Sequence, residues 1–242
     1  MTFTEGNTRS FHRFLNTVGR SIGLIKASLD LSAPAAGKGH EDAEVVRDDI
    51  MRAAIVLAVA AMDNYFTNRF VEMFIPFLKT RGPTKGLLDL LGKAGFDTKL
   101  ALEMLTMERP YRRLRSLVDS YLDRFVTQRF EVIDSLFLAY GVKNFTHSVQ
   151  AKIGRKTLLR SIEILVERRH AIVHGGDLNA HNCLVDIDGS EVLRRITDME
   201  VFVTGAEKFL NSLVRVKKLP SPSDLLERVW REAWKPPDSR AC

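Results

Sequence analysis

The sequence predicts an all-α protein, a helical bundle, and three observations lead to that fold class. Apolar residues recur at spacings of three and four through most of the chain, which is typical of amphipathic helices. The segments between these stretches are short and rich in glycine, proline and small residues. A strand pattern occurs once, in NCLVDIDGSEVLRRI (182–196), where Asp188-Gly189 predicts the turn of a small β-hairpin.

The whole chain is expected to form one domain, because no internal repeat or clear linker divides residues 1–242. We expect an N-terminal helix at 8–31 and a loop of small residues at 32–41. A core bundle at 42–217 and a C-terminal helix at 222–235 complete the predicted domain.

The first two helices are predicted from their apolar patterns. The N-terminal helix has one apolar face, formed by Phe11, Leu15, Val18, Ile22, Ile25 and Leu29. A second, long helix is expected from about Glu44 to Pro76, through AAIVLAVAAMDNYF. Its alanines permit close approach of neighbouring helices, so we place it at the centre of the bundle.

Shorter helices are expected next, around Leu87–Leu91 and Lys99–Met107, the second capped by Asp97. Pro110 suits the first turn of a long helical stretch that ends before Gly141.

In the last part of the chain, Thr157 is placed to cap a further helix, and Gly175 is placed to end it. A helix near Asp198–Val216 then precedes the C-terminal helix.

Composition excludes several classes of protein. The 242 residues carry a formal charge of +6, which is compatible with an anionic partner but does not require one. The longest apolar run, Ala53–Met62, is too short to cross a bilayer, and the chain opens with no secretory signal pattern. Two cysteines, Cys183 and Cys242, make no disulfide framework. We therefore expect a soluble cytoplasmic protein without a membrane partner.

Arg169 is the residue on which the functional interpretation depends. It lies in ERRHAIVHGGD (167–177), on a helix whose apolar stripe is formed by Leu158, Ile162, Leu165, Ile172 and Val173. At about 100° per residue, Arg169 falls near the centre of that stripe. A buried, unpaired guanidinium costs several kcal/mol. Arg169 must therefore pair with an acid, such as Asp63 or Glu72 of the central helix, or the stripe must line a polar site.

Arg169, His170 and His174 form the pattern R-H-x-x-x-H at a helix end. With its apolar flanks in LVERRHAIVHGG, this pattern resembles the HEPN superfamily, particularly its RiboL-PSP-like branch. The segment AAIVLAVAAMDNYFTNRF resembles the central helix of that family. The chain departs from the family pattern at His170, where asparagine or aspartate is commoner, so the role of His170 is left open.

The resemblance implies a helical bundle that forms a homodimer by packing the motif-bearing helices of two subunits together. It also implies an endoribonuclease that needs no metal or other cofactor, with a composite cleft in which two copies of Arg169 and His174 meet. RNA is then the substrate. Proteins of this kind often act as toxins or as effectors of anti-phage defence, which adds an antitoxin or regulatory protein as a partner.

The residue types suit this chemistry. An imidazole can take the proton of a 2′-hydroxyl or give a proton to the departing oxygen. A guanidinium matches the charge that develops on phosphoryl oxygens. We therefore assign His174 to acid–base catalysis and Arg169 to binding and stabilising the phosphate, while His170 orients His174 or contacts phosphate.

Two basic clusters are candidates for binding the RNA backbone. Arg112 and Arg113 lie in RPYRRLR, and Arg155 and Lys156 lie in KIGRKTLLR. Solvated helix faces explain both clusters equally well.

Two alternatives remain at the motif. A zinc site at His170 and His174 is disfavoured, because the residue after His170 is Ala171 rather than the glutamate of HExxH, and Cys183 has no second cysteine at CxxC spacing. The other alternative is a non-catalytic helical module that binds RNA, nucleotide or a protein partner through the same cleft.

Overall fold

The computed structural model describes residues 8–30, 40–125 and 127–214, with the side chains of 40–43 excepted. These ranges confirm the all-α fold class: they contain helices and no strand. The helices are α1 Arg9–Asp30, α2 His40–Arg81, α3 Lys85–Lys93, α4 Thr98–Leu105, α5 Pro110–Leu122, α6 Phe130–Leu138, α7 Phe145–Ile153, α8 Leu158–Gly175 and α9 Gly189–Val214.

Helix α2 is the centre of the bundle, as its alanines predict. Helices α1, α5, α6, α8 and α9 all pack against it. Ala54 and Ala58 have no exposed surface, and the aromatic rings of Phe66, Phe70 and Phe74 continue the core towards the C-terminal half of the helix. The small residues permit close packing in the first half of α2, while the large rings fill the core around the second half.

A buried polar cluster fastens α1 and α9 to α2. Glu207 of α9 accepts hydrogen bonds from the Tyr65 hydroxyl and from Arg69 Nε, both at 2.9 Å, and from the Thr8 backbone N–H at 3.1 Å. Burial, followed by the charge of Glu207, raises the pKa of Tyr65 well above its ordinary value, so the hydroxyl remains a donor.

Pro76 does not end the central helix, contrary to the prediction. α2 continues through it to Arg81. Phe74 and Phe77 on either side are buried, and the Tyr140 hydroxyl donates to the Phe70 carbonyl at 2.7 Å. Packing of these aromatic rings outweighs the backbone hydrogen bond that proline cannot donate.

The predicted long helix after Pro110 is two helices, α5 and α6. Thr127 lies between them, where its backbone N–H and its hydroxyl each donate to Asp63 Oδ1 of α2 at 2.6 Å. These tertiary hydrogen bonds replace helical ones, so the chain turns here.

The hairpin predicted at Asp188-Gly189 is wrong, since Gly189 begins α9. Asp188 Oδ1 instead accepts from the Ser190 backbone N–H at 2.8 Å and from its hydroxyl at 2.7 Å, which makes Asp188 a helix cap. In the described chain, antiparallel pairing is limited to one bridge between Leu178 and Leu184.

Two further predictions fall partly or wholly outside the described residues. The C-terminal helix at 222–235 lies wholly outside them, as does all but the last two positions of the loop at 32–41. Within the described part, no helix is long and apolar enough to cross a membrane.

Candidate active site

The candidate site lies where α8 extends past the core. Its buried apolar residues end at Leu165; Arg169 and Ile172, one and two turns later, are only half-buried, and Val173 is exposed. The same stripe therefore packs in the core at one end of α8 and faces outward at the other. An arginine on the outward part of the stripe needs no buried acid.

The two histidines of the motif lie side by side on this outward part. His170 and His174 are both exposed, and their ring centroids are 4.5 Å apart with the planes tilted by 45°. One helical turn separates them, so both rings reach the same patch of solvent. The C-terminal end of a helix also favours positive charge, which suits both imidazoles and the neighbouring guanidinium.

Arg169 has no ionic partner among the described residues. The two acids considered as its partners are used elsewhere: Asp63 accepts from Thr127, and Glu72 accepts from the Ser10 hydroxyl at 2.6 Å. Nε of Arg169 is buried and makes no hydrogen bond in the described structure. In the part of the chain that the structure describes, the half-buried guanidinium of Arg169 therefore has no carboxylate to neutralise it.

The adjacent Arg168 has the buried partner instead. Asp177 is 1% exposed and its Oδ2 accepts from Arg168 Nη2 at 2.7 Å and from Arg52 Nε at 2.8 Å. Both guanidinium groups also donate to the Val185 carbonyl. Arg52 belongs to α2, so this cluster joins α2, the end of α8 and the loop after it. We call it the Asp177 clamp.

The backbone around the clamp is unusual and explains where α8 ends. Gly176, rather than the predicted Gly175, takes the left-handed conformation at φ +63°, and Asp177 follows at φ +61°. Hydrogen bonds from Gly176 N–H to Ile172 O and from Asp177 N–H to Ala171 O close the helix. Aspartate tolerates this conformation better than most residues, and here its carboxylate is directed into the clamp.

Sequence reasoning missed Arg52 and Arg168 as structural residues. The available signal was Asp177, an acid directly after a glycine pair at a helix end. Its arginine partners include one that is 125 positions away in sequence, and no local pattern identifies such a pair.

A shallow groove lies beside the motif, between α2 and the end of α8. We call it the α2–α8 groove; it is lined by Ala53, Val56, Leu57, Ala60 and Ile172, with Asp49 and Arg52 at one end. Exposed apolar residues lie close by in the chain: Val45 and Val46 about one turn before Asp49, Val173 next to Ile172, and Leu178 and Leu184 in the loop after α8. An apolar surface of this kind next to a charged motif is typical of a protein interface.

A sequence model of the RiboL-PSP-HEPN family matches residues 24–212, which is most of the chain. The chain belongs to the RiboL-PSP-HEPN family. No curated protein and no solved structure matches it. The matched range includes all of α2 and α8 and most of α9, and so every residue of the motif and of the Asp177 clamp.

The basic residues considered for RNA binding do not join the motif within one copy of this RiboL-PSP-HEPN chain. Arg155 and Lys156 precede α8, while His174 is near its other end, roughly 25 Å away along the helix axis. Arg155 also pairs with Asp198 at 3.0 Å.

Arg112 and Arg113 are exposed on α5 beside Tyr111, whose ring lies 4.7 Å from Lys79 Nζ. Lys79 is close to the C-terminal end of α2, about 40 Å along the helix from the clamp. These arginines therefore remain a prediction about a distant surface of the HEPN bundle.

The residues considered for zinc do not converge in this HEPN site. Among the described residues, no group of three His, Cys, Asp or Glu side chains lies close enough to hold one metal ion. Asp177 is committed to the two arginines of the clamp, and Cys183 is exposed in the loop that follows.

Proposed function

We propose that this RiboL-PSP-HEPN protein is a metal-independent endoribonuclease whose active site forms between two copies of the chain. The observation that carries the proposal is the group at the end of α8. Arg169 has no carboxylate partner in the described structure, and two exposed imidazoles stand on the same helix end. An unneutralised guanidinium beside exposed imidazoles suits a phosphodiester that arrives from solution.

The reaction is an internal transfer within RNA. The 2′-oxygen forms a bond to the adjacent phosphorus while the bond from phosphorus to the 5′-oxygen breaks, leaving a 2′,3′-cyclic phosphate and a 5′-hydroxyl. The His174 imidazole of one copy takes the 2′-hydroxyl proton, and that of the other copy gives a proton to the 5′-oxygen. The guanidinium groups of Arg169 stabilise the charge on the non-bridging oxygens.

Two copies are needed because one chain supplies one motif. The apolar residues beside the motif give each copy a surface to bury. A two-fold axis through this surface brings the α2–α8 grooves together and places both copies of Arg169 and His174 around one cleft. The ring centroid of His170 is 4.5 Å from that of His174. His170 then orients the His174 ring or adds a contact to phosphate.

The decisive experiment is cleavage of a single-stranded RNA oligonucleotide by purified protein in EDTA, with analysis of the product ends. We expect cleavage, cyclic phosphate ends and loss of activity in both Arg169→Ala and His174→Ala. Cleavage that stops in EDTA and returns with zinc or manganese would contradict the metal-independent site.

A mixed-dimer experiment tests whether the site is shared. Wild-type protein is mixed and re-equilibrated with an excess of His174→Ala chains, so that most wild-type chains have a mutant partner. If the site needs both histidines, total activity falls with the square of the wild-type fraction, so activity per wild-type chain falls in proportion to that fraction; activity per wild-type chain that stays constant would show that each chain works alone.

The same variants distinguish a catalytic site from a site that only binds RNA. RNA that binds in an Arg169-dependent manner without being cut would favour a non-catalytic module.

A toxin or anti-phage role extends the proposal: expression should arrest growth of the host, and His174→Ala should abolish the arrest. The antitoxin or regulatory protein that such a role requires would be a protein that relieves the arrest when it is co-expressed.

A further inference from the structure

An apolar groove lies on α9, on a different surface from the motif. We call it the α7–α9 groove; it is lined by Ile153 of α7 and by Thr197, Val201, Thr204, Phe209 and Ser212 of α9. Its cavity volume is about 620 Å³. Gly205 lets α7 pack closely against α9 here, because a Cβ at this position would lie 2.7 Å from Ile153 Cδ1. The residues spaced along α9 form a trough about 22 Å long.

The chain that follows α9 carries a segment suited to this groove. Residues 223–234 read SDLLERVWREAW, in which Leu226, Trp230 and Trp234 are four residues apart. That spacing puts all three on one face of a helix about 18 Å long, which matches the trough. Pro236 and Pro237 end the pattern. Two tryptophans on one face need a partner surface.

The connection and the charges both favour an antiparallel arrangement. Val214, the last described residue of α9, lies next to the Ser212 end of the groove, and a chain of eight residues, the length of 215–222, can span more than 20 Å. Lys208 and Lys152 stand at that same end, with Lys152 Nζ 4.2 Å from the Phe209 ring centroid. Glu200 lies towards the other end.

A helix entering from the Ser212 end would place its acids Asp224 and Glu227 near the two lysines. Arg231 of the segment, and Lys235 directly after it, would then lie near Glu200. Arg228 and Glu232 would fall on the side of the helix opposite the apolar face, so the charges nearer that face follow the same order as those along the groove.

We propose that residues 223–234 dock as an amphipathic helix, antiparallel to α9, in the α7–α9 groove of the same chain. The segment lies beyond the 24–212 range that the family model matches, so it is an addition to the HEPN bundle. The proposal does not depend on ribonuclease activity.

The chain provides its own probe, because Trp230 and Trp234 are its two tryptophans and both lie in this segment. We expect the intact protein to show tryptophan emission at shorter wavelength than N-acetyltryptophanamide, and weaker quenching by acrylamide. Val201→Glu should move both readings towards those of the free amide. If Val201→Glu does not fold, Thr204→Arg is the second variant, because Thr204 is half-exposed and is not part of the buried core. Leu102→Glu, on the exposed face of α4, is the matched control and should change neither reading.

Circular dichroism confirms that each variant is folded. Wild-type readings equal to those of the free amide would overturn the proposal. Tryptophan protection that survives both Val201→Glu and Thr204→Arg would also overturn it. Protection that is lost in Leu57→Glu would place the segment in the α2–α8 groove instead. Protection that disappears on dilution would place the segment on a second copy, and would also overturn docking within one chain.

Discussion

Arg168 Nη2 lies 2.7 Å from the buried Asp177 Oδ2, while the next residue, Arg169, has no ionic partner in the described structure. Two adjacent arginines thus have different tasks. Arg168 holds the loop after α8 in place, and in the proposed function Arg169 binds the phosphate of RNA. Stability and cleavage respond differently to loss of each arginine's contacts, so measuring both distinguishes the two roles.

Asp177→Asn tests the clamp. Asparagine keeps the shape and tolerates the left-handed backbone, but it leaves two guanidinium groups without their shared charge. Breaking a buried ion pair on one side costs about 3–5 kcal/mol, so we expect the free energy of unfolding in urea to fall by that order. Glu163→Gln, which removes an exposed ion pair with Arg160, should change it by less than about 1 kcal/mol. Equal small losses in both variants would show that the clamp adds no stability.

Arg169→Ala should greatly slow RNA cleavage while the protein stays folded. The side chain is half-buried and unpaired in the described structure, so its removal leaves no uncompensated acid. We expect a loss of two to three orders of magnitude in cleavage rate, about 3–4 kcal/mol of transition-state stabilisation, with little change in melting temperature. A collapsed fold in this variant would instead assign Arg169 a structural role.

His174→Ala should likewise lose cleavage at an almost unchanged melting temperature, because the imidazole is exposed at the end of α8. The rate is measured in EDTA on an RNA oligonucleotide and on a matched oligonucleotide with a 2′-deoxy group at the cleaved position. We expect no cleavage of the RNA oligonucleotide by the variant. We also expect no cleavage of the 2′-deoxy oligonucleotide by the wild type. Full activity in a folded His174→Ala protein would remove the catalytic assignment.

Leu57→Glu should separate the two copies. Leu57 lines the α2–α8 groove and is half-buried in one chain, so a carboxylate there would be desolvated in the proposed dimer. Light scattering at micromolar concentration should show a dimer for the wild type and a monomer for the variant, with cleavage lost together with dimerisation. Leu102→Glu on α4 should leave both unchanged. A wild-type monomer that still cuts RNA would contradict the shared site.

Asp188→Asn should weaken the start of α9 in a pH-dependent way. The hydroxyl and backbone N–H of Ser190 lower the pKa of Asp188 below its ordinary 3.8. A lowered pKa in the folded state means stability that is present above pH 3.8 and is lost as pH falls through the lowered value. The variant should therefore melt below the wild type at pH 7, and the difference should shrink below pH 3.8. Asp186→Asn is the control, and a difference that is constant with pH would exclude the charged cap.

The sequence by itself determined the fold class, the central place of α2 and the position of the motif at a helix end. Each of these depends on local information. Apolar spacing defines a helix face, alanines permit close packing, and Asp97 caps α4 as predicted, accepting from the Leu100 backbone N–H at 2.8 Å.

The tertiary structure decided which side chains pack, hydrogen-bond or form ion pairs with each other. It continued α2 through Pro76 because aromatic rings pack on both sides, and it turned the chain at Thr127 because Asp63 accepts its hydrogen bonds. The buried carboxylate of Asp177 also pairs with Arg52 and Arg168 rather than with Arg169. Such choices depend on side chains that are far apart in sequence, where burial makes a single hydrogen bond or ion pair stronger than any local preference.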